Sequence, residues 1–369
     1  MVEIYSPSCG EEELAGFLAS ELERVGFRVK RDAVGNVIGE HCGGAPRVLF
    51  CGHLDTVPPM LPVKVEDGVL YGRGSVDAKG PLAAMIVAAS RLVEEGYPGS
   101  LSVVGVVEEE GRSTGIRHLV SEGVDADYAV FGEPTNVATV TIGYRGSFLL
   151  SVVCETMTGH SSAPWLYDNA VEKVFELWSL VKGLRMPGED PESRFHSLSM
   201  NLRSIEGGGE SSVVPPRCKA LIEIRIPPAI TVAELTQEVL NLVEGYKTEN
   251  PGVIVEAKVM DSTEPYVAEK KSTLVRAFTR AIWENRKERV KLINKSGTGD
   301  MNILGCSMSI PVVTYGPGDP HLDHTPDEHI ALQDYLDAID IIVDAVKRLH
   351  EMHHQVRTTA RARALARSS

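Results

Sequence analysis

Imidazole and carboxylate side chains follow short apolar runs of this chain again and again. Val48-Leu49-Phe50-Cys51 ends at Gly52, with His53 and Asp55 directly after it. Leu101–Val107 runs into Glu108, Glu109 and Glu110, then Gly111. Tyr128–Phe131 ends in Gly132-Glu133-Pro134. Ile310–Tyr315 opens onto GPGDPHLDHTPDE, which carries His324. Asp77 sits in the glycine-rich stretch LYGRGSVDAKG (70–80). A mixed His/Asp/Glu set without thiolates suits Zn²⁺, Co²⁺ or Mn²⁺ in a hydrolytic site. The carboxylates are too many for one tetrahedral zinc. Two cations roughly 3.5–4 Å apart, sharing one carboxylate and a hydroxide, balance that charge. Each residue alone also has an ordinary reading. A triple Glu is commonly a solvated face, Asp77 can simply cap the next helix, and a histidine after a strand is commonly a loop residue. The signal lies in the repetition.

The elements that must position these groups follow from the same runs. Four to five apolar residues bounded by turn residues fit a fully buried strand. In an open α/β sheet, ligands bind beyond the carboxyl ends of such strands. Ser8 with Glu11 fits a capping box, ahead of a helix whose apolar positions are Leu14, Phe17, Leu18, Leu22 and Val25. Pro81 suits the first turn of a helix reaching Leu92. From Tyr144 the pattern changes. A strand over Ser147–Cys154, the segment TGHSSAP (158–164), a helix over Ala170–Val181, and strands near Cys218–Ile226 and Val253–Val259 flanking a helix make a small α+β module. The spacing predicts an α/β catalytic domain with a mostly parallel sheet over residues 1–144 and 261–355. An inserted α+β domain covers 145–260. Residues 356–369 carry arginines among small residues and lack core-forming content, which predicts a disordered tail.

A length of 369 residues favours two domains. A formal net charge of -14 argues against nucleic-acid partners and against anionic membranes. Six cysteines contain no CxxC pair, and Cys51 and Cys154 sit in apolar runs as small core residues. Reduced thiols, no leader pattern at the start and no run of about 18 apolar residues predict a cytoplasmic protein without a membrane span.

GHLDTVP (52–58), YGRGSVDAKG (71–80), VVEEEG (106–111), GEPT (132–135) and HTPDE (324–328) occur in that order. Together they resemble the successive motifs of the di-zinc exopeptidase and deacylase family, over nearly the whole chain to about residue 350. The resemblance implies two zinc ions, with cobalt as a substitute. It implies that His53 and Glu133 hold one, Glu110 and His324 the other, and Asp77 both. Asp55 is then the acid that orients His53, and Glu109 the general base, in a motif whose usual Asp is here Glu108. It also implies a cis peptide at Asp77–Ala78. In the insert, a lid and dimerisation domain by resemblance, His160 is the lid histidine that stabilises the oxyanion in a neighbouring subunit. Arg225 grips a substrate carboxylate, and Ser212 stands where the family often has Asn.

KSGTGDMN (295–302) most resembles the branch that releases lysine or ornithine from a small acidic amino-group carrier protein. Ser296 and Gly297 are then contacts for the amino acid's α-carboxylate, and the subunit pairs as a homodimer. An acidic carrier meeting a chain of net charge -14 predicts a local rim of Lys and Arg around the cleft. The other readings are a small-molecule deacylase acting on acetylornithine or N-succinyl-diaminopimelate, and a non-catalytic amino-acid-binding relative.

Overall fold

The computed structural model describes the backbone of residues 1–208 and 212–367, with side chains described to residue 355. The chain divides into two compact units. The first comprises Met1–Gly143, Ala268–Asn294 and the chain from Gly299 on; the second comprises Tyr144–Val267 and Lys295–Thr298.

In the first unit a central sheet runs in the order Arg28–Arg31, Val37–His41, Gly99–Val106, Gly44–His53, Tyr128–Phe131, Val312–Thr314, Thr139–Tyr144. The middle pairings are parallel, and the outer ones are antiparallel. Parallel strands are covered on both faces, which is why Val48, Leu49, Phe50 and Cys51 are all buried. The helix Lys79–Glu94 turns Leu82, Met85, Ala89 and Leu92 into the core. Leu82 comes so close to the strand that a Cβ on Gly52 would lie 3.2 Å from Leu82 Cβ. Glycine there lets the helix sit against the strand end that carries His53. A short antiparallel sheet, His329–Ala331 with Val69–Tyr71 and Lys64–Glu66, ties the chain after His324 to the chain before Asp77.

The second unit is a four-stranded antiparallel sheet in the order Ser199–Gly207, Arg217–Ile226, Gly146–Glu155, Ile254–Thr263. Its strands alternate, so Cys218, Ala220, Ile222, Ile224 and Ile226 share one face with Phe148, Leu150, Val152 and Cys154. That face is covered by Val174, Leu177 and Val181 of Ala170–Gly183, and by Leu235, Val239 and Val243 of Val232–Glu249. Both helices start where the chain supplies a cap. The Asn169 side chain accepts from Val171 N–H, and Thr231 forms a reciprocal capping box with Glu234. The unit also takes in Lys295–Thr298, far along the chain from the rest of it.

Two local expectations differ from the structure. The first helix begins at Glu12 without a side-chain cap, because the Ser8 hydroxyl is committed to Asp55 instead. The backbone of the expected disordered tail continues the last helix, Leu332–Arg367. A segment rich in Ala and Arg has high helix propensity even with no core to bury. Residues 368 and 369 lie outside the described residues.

Candidate metal centre

His53 is the last residue of its strand and is almost completely buried. Its Nδ1–H donates to the backbone carbonyl of Asp55 at 2.8 Å, and the Asp55 carboxylate lies 3.5 Å from the same nitrogen. This geometry leaves Nε2 facing inward, 3.1 Å from Asp77 Oδ1 and 3.5 Å from Glu133 Oε1. His324 Nε2 stands 3.1 Å from Asp77 Oδ2 and 2.7 Å from Glu110 Oε1. The ligand-type atoms of His53, Asp77 and Glu110 lie within 4.8 Å of one another. Five residues from five separate segments thus share one cluster.

Asp55 also organises the Glu108–Glu110 turn. Its two carboxylate oxygens accept the N–H groups of Glu109 and Glu110, each at 3.0 Å, and Oδ2 accepts the Ser8 hydroxyl at 2.7 Å. Glu11 accepts the N–H of Glu108 at 3.1 Å. Glu108 has a left-handed backbone, with φ of 57°. Its carboxylate turns to the Thr114 hydroxyl at 2.6 Å and the Cys9 thiol at 3.1 Å. Glu109 and Glu110 therefore face the cluster as a pair, and Glu108 does not.

The electrostatics reflect crowding of like charge. Burial pushes the Glu109 carboxyl well above the usual carboxylate range, and Asp300, Glu133 and Glu110 add to this. Burial also raises Asp300, to about 7, with the Ser113 side chain pulling the other way; both its oxygens are sealed from solvent. Asp77 is held low despite its burial, because His324 and His53 both hydrogen-bond to it. Hydrogen bonds from Asp77 and Glu110 raise His324 to about 10. Burial opposes charge on His53, but Asp55 and Asp77 outweigh it and hold the imidazole well above its usual value. Carboxylates outnumber imidazoles here, so the array attracts divalent cations. The donors, all imidazole and carboxylate, fit a hydrolytic metal pair.

Several contributors escaped the sequence reading: Ser8, Glu11, Asp300, Arg73 and Glu328. Glu328 lies inside HTPDE, and its partners are more than 250 residues away. The Asp77–Ala78 peptide is cis, as the resemblance implied. Four expected site residues lie in the second unit. His160 is exposed, bridges to Val213 and accepts from Ser162 N–H on Nδ1 at 3.1 Å. Arg225 donates to Thr298 Oγ1 at 3.1 Å and Glu223 Oε1 at 2.7 Å. The Ser296 carbonyl accepts from buried Arg145 at 3.2 Å, and Gly297 follows it in the same loop. Ser212 gives its carbonyl to Ser161 N–H at 3.0 Å.

Strand-end imidazoles and carboxylates gathered in this way, on a mainly parallel sheet, define a metal-dependent amidohydrolase. The chain belongs to peptidase family M20/M25/M40, whose pattern matches residues 49–348. It is 31% identical over 352 residues to the LysW-lysine/LysW-ornithine hydrolase of Sulfurisphaera tokodaii, covering 95% of this chain and 93% of that one. It is 32% identical over 355 residues to the LysW-lysine hydrolase of Deinococcus radiodurans, covering 94% of each. Among solved structures, a tripeptidase from Staphylococcus aureus superposes with a TM-score of 0.81 at 21% identity, over 95% of this chain and 96% of that one. A dinuclear metal-binding peptidase from Bacillus subtilis gives 0.71 at 14% identity, over 95% of each chain.

Proposed function

We propose that this protein releases lysine or ornithine from the C-terminal γ-glutamyl group of a small acidic amino-group carrier protein, by hydrolysis of one amide bond. The observation that carries the chemistry is Asp77, with one oxygen toward His53 and the other toward His324. The carrier substrate draws its support from the relatives named for it, each matched along nearly its whole length.

In this reading His53 and Glu133 would hold one cation and Glu110 and His324 the other, with Asp77 placed to serve both. Zinc is the expected ion and cobalt a working substitute. When bound, the cations act as a Lewis acid and make a water acidic enough to attack at neutral pH. Asp55 fixes the His53 tautomer through Nδ1 and sets the Glu109–Glu110 turn through two N–H groups. Glu109 is the general base. It takes the proton of the attacking water and passes it to the leaving amine. His160 of the second unit stabilises the oxyanion in a neighbouring subunit, Arg225 grips the substrate carboxylate, and Ser296 and Gly297 contact the α-carboxylate of the released amino acid. The reading includes a homodimer in the cytoplasm; among the described residues, no helix is long and apolar enough to cross a membrane.

Purified protein incubated separately with carrier-linked lysine, carrier-linked ornithine, acetylornithine and N-succinyl-diaminopimelate tests this. The proposal expects turnover of the carrier conjugates to dominate. Faster turnover of either small acyl compound overturns the substrate, and no hydrolysis of any of them overturns the enzyme.

A further inference from the structure

Glu328 is completely buried, yet neither the sequence motifs nor the reaction above assigns it a task. Its Oε1 accepts three backbone N–H groups, from Gly74 at 2.9 Å, Val76 at 2.9 Å and Asp77 at 3.0 Å. Its Oε2 accepts from the buried Arg73 guanidinium at 2.6 Å. The Arg73 side chain reaches on to the Thr325 carbonyl at 3.2 Å and the Pro59 carbonyl at 3.3 Å. The Glu328 carbonyl accepts Gly72 N–H at 3.1 Å. Gly74, Val76 and Asp77 therefore turn their N–H groups around an anion, as phosphate-binding loops do. Here the anion is the chain's own carboxylate. Gly72 and Gly74 have φ of 147° and 84°, backbone that glycine supplies at least cost.

The placement of this carboxylate gives it a consequence. Glu328 is four residues after His324, and it grips the N–H of Asp77 itself. One side chain thus joins the segment that delivers His324 to the loop that delivers Asp77. The separation across which these two meet is 3.1 Å. From the N–H clasp and its position between these two segments, we infer that Glu328 is a positioning residue: it sets the distance between the Asp77 carboxylate and His324, and with it the affinity and geometry of the metal pair. This rests on the metal reading above. A buried carboxylate is costly unless its oxygens are satisfied, and here four donors satisfy it.

Two double variants separate the clasp from the ion pair. Both Arg73→Met/Glu328→Gln and Arg73→Met/Glu328→Met remove the buried charges. Only the first keeps an oxygen for the three N–H groups. Chelator-treated full-length chains are titrated with Co²⁺, reading affinity and the visible absorption spectrum of the bound ion, with the thermal midpoint measured alongside. The Gln variant is expected to bind Co²⁺ within about threefold of wild type with an unaltered spectrum. The Met variant is expected to bind about 10–100-fold more weakly, the range typical of lost supporting contacts at metal sites, with a shifted spectrum. Equal affinity and equal spectra in the two variants overturn the inference. Should the Met variant not fold, Glu328→Asp, whose carboxylate is drawn back by one methylene, gives the same comparison. Wild-type affinity there overturns the inference, as does failure of both to fold, which assigns Glu328 to the fold as a whole. Wild-type protein that takes up no Co²⁺ removes the metal reading itself, an outcome distinct from failure of the clasp.

Discussion

His53 and His324 face opposite oxygens of one carboxylate, each Nε2 lying 3.1 Å from its own oxygen of Asp77. The two imidazoles come from segments 271 positions apart in numbering, one at a strand end and one in a loop. A single acid between two nitrogens, with further carboxylates on both sides, is the geometry of a shared-metal site.

Glu109→Gln should lower hydrolysis by about 10²–10⁴-fold, the usual range for a positioned proton-transfer group. Metal content should stay at the wild-type level, because the Glu109 N–H on Asp55 is unchanged by the substitution. Rates under saturating substrate, paired with metal analysis, check this.

Removing the metals should lower thermal stability. A ligand present at about 100 times its dissociation constant stabilises the folded state by about 2.7 kcal/mol. Chelator treatment should therefore drop the melting temperature by several degrees, and added Zn²⁺ or Co²⁺ should restore it. Scanning calorimetry reads both arms.

Asp300 makes the stability of chelator-treated protein depend on pH in a defined direction. Its folded-state pKa is raised to about 7 by burial, above the ordinary aspartate value near 3.8. Between those values the folded chain keeps a proton that the unfolded chain releases, so stability falls as pH rises from about 4 to 7. Asp300→Asn removes that loss. The variant should gain on the order of 2–4 kcal/mol relative to wild type at pH 8, and little at pH 4. Denaturant melts at the two pH values measure the difference.

Much of the centre was legible in the sequence because its grammar is local. A buried strand that ends in Gly52-His53, or in Glu109-Glu110 or Glu133, announces both the strand and the group it delivers. The supporting residues were not legible in the same way. Ser8 carried a helix-capping pattern, yet its hydroxyl is drawn to Asp55, 47 residues on. Glu328 lies within HTPDE, but nothing local assigns it a partner until the fold brings the amides of Gly74, Val76 and Asp77 around it. Such contacts depend on distant segments meeting, which local periodicity does not encode. The tail differs for the opposite reason. Residues 356–369 plainly lack core-forming content, yet a stretch of Ala and Arg has high helix propensity, and the backbone of the last helix runs on to Arg367.

Ser8→Ala should cost about 1.5–3 kcal/mol, the value of a hydrogen bond to a charged acceptor. It should also lower turnover, because Asp55 holds both His53 and the Glu109 turn. Urea titration and the steady-state rate test the two parts separately.

If a local rim of Lys and Arg steers an acidic carrier, as the chain's net charge of -14 predicts, the carrier should lose efficiency as salt rises, through its rate of encounter. Hydrolysis of carrier-linked lysine should therefore fall between 50 and 500 mM salt (about a tenfold span), while hydrolysis of a small acyl-lysine changes little. Parallel kcat/KM measurements show the contrast.

The most direct test is metal content against activity on the same preparation. Elemental analysis of the wild-type chain should find about two divalent cations per chain, and Asp77→Asn should lose metal and hydrolysis together. A wild-type chain that hydrolyses carrier-linked lysine at full rate with less than about a tenth of an equivalent of any divalent metal would contradict the account.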